Sequence, residues 1–331
     1  MELAVPGTHA LLRLNPDCGG AVGALTFDVE GQPVSVLCSD SAPTQTDLQH
    51  GPGDARPTGL SSCFHPLFAG RFLWPFNDRI PKGRYVFRGR AYQLPPNDPE
   101  TGDAIHGMLY ARPMAAEPDD LAHPEQVRLQ DTIHRGECKG YPFDARIAIS
   151  LQLARASLEI SVATSNVGRT QMPVAFGWHP YFMLPDAGSS DELVLRTTAD
   201  SYVPVDDQLL PTGGARPAAG STLHRFCSPD GARIDASELD VAVTAANPGI
   251  TTELMSDRLL LRIEQDGAFS YQQWFTAPDR SSIAIEPITA ATDSFNRPEL
   301  GQCVLSPGES LAGRVRVSVA VRRRDHDLRN A

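Results

Sequence analysis

The sequence predicts an all-β protein in which large sheets pack face to face. Proline (28 residues) and glycine (27 residues) recur along the whole chain of 331 residues instead of gathering in one linker. Such punctuation leaves little room for long helices and favours short strands joined by turns. Several segments also alternate between apolar and polar residues, the period of a half-buried strand. Together these observations predict a large β-sandwich.

Three regions of the chain carry this alternation most clearly. Residues 147–153 and 158–162 alternate on either side of the turn ARAS, which predicts a hairpin. Residues 259–263 run into Asp266-Gly267, a tight-turn dipeptide that predicts a further strand at 269–275. Near the C-terminus, valines alternate with polar residues over 315–321, which indicates a strand with one solvated face.

The chain is expected to form a single domain over residues 1–331, because no change in composition marks a boundary. Residues 95–103 and 115–126 are interpreted as long surface loops, and the mixed-charge tail 322–331 as a frayed end. The six cysteines form no CxxC pair. In a cytosolic chain of this size, free thiols are favoured over disulfides.

Charge and hydropathy exclude several classes of function. The net charge is −11 and the isoelectric point near 5.3, which opposes binding to a phosphate backbone. No apolar run approaches the roughly 20 residues of a membrane span. The first residues lack the pattern of a signal peptide, so a cytoplasmic location is expected. His134 and Cys138 are four residues apart but lack a second ligand pair, so no metal site is expected.

Polar residues inside apolar strands are the candidates for chemistry. In SSIAIEPIT, Ile283 and Ile285 share one face of a strand, which places Glu286 on the other face. A carboxylate is costly to bury without a partner or a purpose. Taken alone, Glu286 is better explained by a salt bridge at the rim of a sheet.

Other polar residues stand in similar surroundings. FGWHPYFMLP places His179 among aromatic rings and prolines, which would hold its imidazole still. Gln273 interrupts an apolar face in YQQWFT, and His106 precedes a glycine that permits close approach. Asn77 and Arg79 lie between Phe76 and Ile80 in LWPFNDRIPKG. Singly, each residue suits a structural role: a packed histidine, a core glutamine, a turn histidine or a buried guanidinium.

As an ordered set, these segments resemble the aldose 1-epimerase (galactose mutarotase) family, whose fold is a large β-sandwich. The resemblance runs from about residue 20 to residue 320. GRFLWPFNDRIPKGRYVFRGRAYQLPPN is similar to the Asn-Arg-Ile segment of that family and the hairpin after it. IHG and GWHPYFML resemble its two histidine motifs, and QWFT its sugar-binding glutamine. SYVPVDDQLLPTG, IEPITAATDSFN and VLSPGES resemble its remaining segments.

The resemblance implies a galactose mutarotase-like supersandwich and an isomerase that acts on a small-molecule aldose without metal or cofactor. By matching motif, Glu286 becomes the general base and His179 the general acid, with His106 assisting at the ring oxygen. Asn77, Arg79 and Gln273 would hold sugar hydroxyls. Asp240, in SELDVAVT, corresponds to a sugar-binding aspartate. This chain departs from the family by one inserted residue, Asp78, between the asparagine and the arginine.

Two other functions stay open at this point. One is a sugar-binding protein on the same sandwich that lacks activity. The other is a mutarotase for phosphorylated sugars, which would need a basic cluster at the site. Six basic residues lie close enough along the chain to allow it: Arg71, Arg79, Lys82, Arg84, Arg88 and Arg90. The sequence predicts nothing about which aldose is used or about the oligomeric state.

Overall fold

The computed structural model describes residues 1–38, 67–117 and 123–322. Within them the chain is almost entirely β, and two large antiparallel sheets enclose the main core. No helix in these ranges is long and apolar enough to cross a membrane. The all-β fold predicted from the sequence is therefore confirmed. The tail from residue 323 onward lies outside the described residues.

The larger sheet has twelve strands among the described residues. They are β1 (Glu2–Ala4), β2 (Leu11–Asn15), β3 (Ala21–Val29), β4 (Gln32–Cys38), β5 (Arg71–Leu73), β15 (Gly177–His179), β16 (Tyr181–Phe182), β18 (Ser201–Tyr202), β19 (Arg216–Pro217), β21 (Asp240–Thr244), β24 (Tyr271–Thr276) and β25 (Ile283–Ile288). In space, β4, β16, β25, β24 and β21 are consecutive neighbours, and β15 joins β25 to β5.

The second sheet has nine strands in the part of the chain that the structure describes. They are β10 (Ala115–Ala116), β11 (Gln126–Ile133), β12 (Ala145–Ala154), β13 (Ser157–Asn166), β17 (Val194–Thr197), β20 (Ala232–Arg233), β22 (Ile250–Met255), β23 (Leu259–Gln265) and β27 (Ser310–Val321). The predicted hairpin is β12 with β13, in register from Ala145 opposite Asn166 to Ala154 opposite Ser157. The predicted C-terminal strand is β27, in which Val315, Val317 and Val319 are buried while Val321 and the arginines are exposed.

Three short strand pairs and several single-turn helices complete the described fold. The pairs are β6 (Arg79–Ile80) with β9 (Ala104–Ile105), β7 (Arg84–Phe87) with β8 (Arg90–Gln93), and β14 (Met172–Val174) with β26 (Cys303–Leu305). The 3₁₀ helices are Pro16–Cys18, Pro81–Gly83, Leu109–Ala111, Ser190–Glu192, Thr222–Cys227 and Pro298–Leu300. Residues 95–103, predicted as a loop, contain no strand.

The turn at Asp266-Gly267 forms as predicted, but its two strands do not pair with each other. The N–H of Phe269 donates to the carbonyl of Asp266 at 3.1 Å, which closes the turn. β23 then pairs with β22 and β27 in the nine-stranded sheet, whereas β24 pairs with β21 and β25 in the other. The turn is therefore a corner between the two layers, with Phe269 buried inside it.

The cysteines follow the prediction only in part. Cys138, Cys227 and Cys303 are free thiols, as expected. Cys18 is disulfide-bonded, so the expectation of free thiols is wrong for this residue. Sequence spacing alone does not show which cysteines a fold brings together.

Candidate active site

The candidate site lies on the face of the twelve-stranded sheet that points away from the main core. Along β25, Ile283 and Ile285 belong to the main core, while Ala284 belongs to a small cluster on the opposite face. Successive side chains of a strand alternate, so Glu286 shares the face of Ala284. In the β24–β25 ladder, Glu286 lies directly opposite Gln273. The predicted faces of this strand are therefore confirmed.

Glu286 and His179 form a close acid–base pair. The Nε2 atom of His179 lies 3.4 Å from Oε1 of Glu286. The two side chains come from neighbouring strands, since β15 pairs with β25 at Gly177 and Ile288. Glu286 is 3% exposed and His179 6% exposed. Little water therefore reaches the pair, and electrostatic interactions within it are stronger than at a protein surface.

Aromatic residues hold His179 in place, as the sequence predicted. Its ring stacks on that of Tyr181, with centroids 5.2 Å apart and planes inclined by 14°. Trp178 points the other way along the strand, into the core, where it stacks on Phe72 at 6.2 Å. Trp178 therefore serves packing, while the next residue along the strand faces the site.

His106 reaches the same place from the turn after β9. Its backbone is left-handed (φ 62°), and its N–H donates to the carbonyl of Asp78 at 3.0 Å. The imidazole meets His179 edge to face, with ring centroids 5.1 Å apart. Burial, then the neighbouring His179 and Arg79, lowers the pKa of His106 well below its usual value. His106 is therefore a neutral imidazole near pH 7.

Gly107 fixes the close approach of this turn. Its φ is +72°, and a Cβ there would lie 2.2 Å from the carbonyl oxygen of Trp74. Any larger residue would push the turn away from the sheet and carry His106 with it. The backbone N–H of Met108, the next residue, donates to the same Trp74 carbonyl at 2.8 Å.

Carboxyl groups crowd the site and raise each other's proton affinity. Burial, followed by the charges of Asp78 and Asp240, raises the pKa of Glu286 well above its usual value. Burial and the charge of Asp78 raise the pKa of Asp240 to about 6. A hydrogen bond from Nε2 of Gln273 to Oδ1 of Asp240, 2.6 Å long, opposes that rise. Near neutral pH the site is therefore rich in groups that can exchange protons.

Asn77 and Asp78 are placed differently. The Asn77 side chain is 2% exposed, and its Nδ2 donates to the carbonyl of Ala290. Asp78 is half-buried with a left-handed backbone (φ 58°), and its carboxylate accepts the hydroxyl of Thr292. Of these two residues, Asp78 carries the charge that raises the pKa of Glu286 and of Asp240.

Arg79 directs its guanidinium into the loop at 95–103. Its Nη1 lies 2.5 Å from Asp98 and 3.4 Å from Asp103, and it donates to the hydroxyl of Thr101 at 2.9 Å. These ion pairs are largely buried. Arg79 still lies close enough to the site to affect the pKa of His106 and of Asp240. It therefore links the loop to the edge of the site.

Five of the residues proposed from the sequence share one neighbourhood: Glu286, His179, His106, Gln273 and Asp240. Arg79 lies at its edge, and the amide of Asn77 turns toward backbone. The sequence reasoning missed the roles of Asp78 and Tyr181. Tyr181 could have been found from its position two residues after His179, and Asp78 from its being the single inserted residue. Among the described residues, no group of three or more His, Cys, Asp or Glu side chains is arranged to hold a metal ion.

Comparison with protein families matches this chain to the model for aldose 1-epimerase over residues 61–318. Among curated proteins, it is 25% identical to galactose mutarotase of Mus musculus over 264 residues, which cover 70% of this chain and 73% of that protein. It is also 25% identical to YihR, an uncharacterized protein of Escherichia coli, over 245 residues covering 69% and 71% of the two chains.

Solved structures show the same fold. A GalM/aldose epimerase homologue from C. elegans superposes with a TM-score of 0.77 at 19% identity, covering 98% of this chain and 99% of that one. A galactose mutarotase-like protein from Clostridium acetobutylicum also gives 0.77 at 19% identity, over 95% and 93% of the two chains.

Proposed function

Because the chain belongs to the aldose 1-epimerase family, we propose that it interconverts the α and β anomers of an aldose by opening and reclosing the sugar ring. In this proposal Glu286 is the general base and His179 the general acid. Glu286 removes the proton from the anomeric hydroxyl while His179 protonates the ring oxygen. The bond between C1 and the ring oxygen breaks, leaving an open-chain aldehyde. Rotation about the C1–C2 bond and reversal of both proton transfers give the other anomer.

One observation carries this proposal: the 3.4 Å contact between His179 Nε2 and Glu286 Oε1. The anomeric oxygen and the ring oxygen are bonded to the same carbon, so an acid and a base that serve them must lie close together. Positioned proton transfer of this kind contributes on the order of 10²–10⁴-fold to a rate. The raised pKa of Glu286 suits a base, because a carboxylate with a higher pKa accepts protons more readily.

The surrounding residues support this division of roles. Neutral His106 would meet the ring oxygen or a neighbouring hydroxyl beside His179, without competing for the negative charge of Glu286. Gln273 retains a carbonyl oxygen, Oε1, that has no hydrogen-bond partner among the described residues. A buried amide oxygen in that state suits a sugar hydroxyl as donor. Asp240, held by the amide of the same Gln273, offers a second acceptor.

The proposal is tested by measuring anomer exchange by NMR across a panel of neutral and phosphorylated aldoses. We expect exchange faster than the spontaneous rate for at least one neutral aldose. Tight binding of aldoses without any acceleration would instead indicate a non-catalytic carbohydrate-binding protein. We expect a neutral substrate because Arg79 is already ion-paired with Asp98 and Asp103. Acceleration confined to phosphorylated sugars would contradict that expectation.

A further inference from the structure

Asp78 is held at the site by both its backbone and its side chain. Its carbonyl accepts the N–H of His106 at 3.0 Å, and its carboxylate accepts the hydroxyl of Thr292, in the segment that follows β25. The left-handed φ of 58° is a conformation that aspartate tolerates better than most residues. Two separate elements therefore fix the position of this carboxylate.

The side chains of the two residues next to Asp78 bind other parts of the protein. Asn77 donates to the carbonyl of Ala290, and Arg79 faces Asp98 and Asp103. Asp78 is half-buried, whereas both of its neighbours are buried. Among Asn77, Asp78 and Arg79, only the side chain of Asp78 is both partly exposed and close enough to affect the pKa of Glu286 and Asp240.

We propose that Asp78 is a specificity-determining residue, whose carboxylate accepts a hydrogen bond from a hydroxyl of an uncharged aldose and excludes sugars that carry a phosphate, sulfonate or carboxylate. This inference rests on the proposed function of the site. A carboxylate accepts hydrogen bonds and cannot donate them, so it favours hydroxyl groups over anionic oxygens. Placing like charges together in a desolvated site is strongly unfavourable, which makes Asp78 a means of rejecting the wrong ligand.

The charge distribution around Asp78 supports this role. Three carboxyl groups converge from different elements: Asp78 before β6, Asp240 on β21 and Glu286 on β25. The charge of Asp78 contributes to the raised pKa of both other groups. Burial raises the pKa of Asp78 as well, and the hydrogen bond from Thr292 and the charge of Arg79 oppose that rise. The basic side chain nearest in sequence, Arg79, is already ion-paired with two aspartates. An anionic sugar would therefore bring a further negative charge beside these three carboxyl groups.

The test compares Asp78→Asn with Asp293→Asn as a matched control. Asp293 is also half-buried and left-handed (φ 61°). Burial raises the pKa of both aspartates, that of Asp293 to about 6. It does not contribute to the raised pKa of Glu286 or Asp240. The probes are a hexose that the wild-type protein binds and the corresponding hexuronate, which differs only in carrying a carboxylate at C6. Calorimetry gives the affinity of each protein for both sugars.

We expect Asp78→Asn to raise the affinity ratio of hexuronate to hexose by about tenfold, as the loss of one nearby like charge would do. Asp293→Asn should leave the ratio unchanged. A ratio that moves by less than twofold in Asp78→Asn overturns the inference. If Asp78→Asn does not fold, Thr292→Val serves in its place: loss of the hydroxyl favours protonation of Asp78, and the ratio should move the same way.

A measurement without sugar separates this inference from the proposed function. Among the described residues, the charged or titratable groups around Glu286 include His179 from β15, Tyr181 from β16, Asp240 from β21 and Asp78. Arg71 of β5 lies opposite His179 in the ladder, and His106 contacts the ring of His179. Carboxyl-carbon NMR of Glu286 should show a lower pKa in Asp78→Asn and no change in Asp293→Asn. An unchanged pKa in Asp78→Asn overturns the placement of Asp78, whether or not the protein is active. A wild-type protein that binds neither sugar overturns the proposed function and, with it, the specificity assigned to Asp78.

Discussion

At the scale of single residues, the pair of Glu286 and His179 makes the most direct prediction. Glu286→Gln and His179→Gln should each lower the rate of anomer exchange on the order of 10²-fold or more, since glutamine keeps a polar group but cannot exchange a proton near pH 7. Both groups act in one transition state, so the double variant should lose much less than the product of the two single losses. The assay follows the decay of optical rotation after a pure α-anomer is dissolved, with the spontaneous rate subtracted. A single variant that keeps a near wild-type rate would remove its residue from the mechanism.

The raised pKa of Glu286 gives a second prediction, on stability. A carboxyl whose pKa is higher in the folded than in the unfolded state binds its proton more tightly when folded. Its favourable contribution is complete below the unfolded pKa and is lost as pH rises through the folded pKa. Glu286→Gln should therefore raise the melting temperature relative to wild type above neutral pH, and the gain should vanish near pH 4. A gain of equal size at both pH values would contradict the raised pKa.

The same shift sets the acid limb of the pH–rate profile. Because Glu286 must be ionised to act as a base, kcat/KM should fall below a pH clearly above 4.3, the usual pKa of glutamate. Polarimetry across a pH series measures that limb directly. A limb at the usual glutamate pKa would show that Glu286 is not buried in the working enzyme.

The sequence predicted most of this site, but it assigned a sugar-binding role to Asn77 and none to Asp78. Adjacent residues of an extended segment point in opposite directions, so one insertion exchanges their faces. The choice is set by the left-handed backbone at Asp78 and by its contacts with His106 and Thr292, which are far apart in sequence. The pattern of residues along the chain carries no record of such contacts.

At the scale of elements, Arg79 ties the loop at 95–103 to β6. Arg79→Ala would remove the buried guanidinium that Asp98 and Asp103 share and should destabilise the protein by about 3 kcal/mol, as expected for breaking a buried ion pair. Urea denaturation measures this loss. Arg84→Ala is the control, because Arg84 is exposed and makes only a side-chain contact with Gln93. If Arg79→Ala weakens sugar binding at unchanged stability, Arg79 holds sugar hydroxyls directly, as the sequence suggested.

The corner between β23 and β24 could be predicted from the sequence only in part. Alternation and the Asp266-Gly267 dipeptide predicted two strands and a turn, and all three are present. Where they separate into two sheets, the buried Nε2 of Gln265 donates to the carbonyls of Phe269 at 2.6 Å and Tyr271 at 2.8 Å. These bonds satisfy backbone groups at the corner that a hairpin ladder would otherwise have paired. A single glutamine in a strand gives no sign in the sequence that its side chain will bond the backbone at a corner.

At the scale of the whole molecule, the proposed chemistry needs one acid and one base. We expect dialysis against a strong chelator to leave anomer exchange unchanged, because Glu286 and His179 supply both proton transfers themselves. The measurement is the polarimetric rate before and after dialysis. A loss of rate that added divalent metal restores would overturn this mechanism.

The alternation along β25 has a consequence for how the protein tolerates change. Ile283 and Ile285 pack in the core, whereas Ala284 and Glu286 face the site. A substitution at any of these four positions should therefore affect either folding or the site. A library of all single substitutions should separate the two sets if soluble yield and turnover are scored independently. Odd-numbered positions should lose yield, and Glu286 should lose turnover while its yield is kept or improved. Alternate residues of this strand are thus selected for different properties, one set for folding and the other for the chemistry of the site.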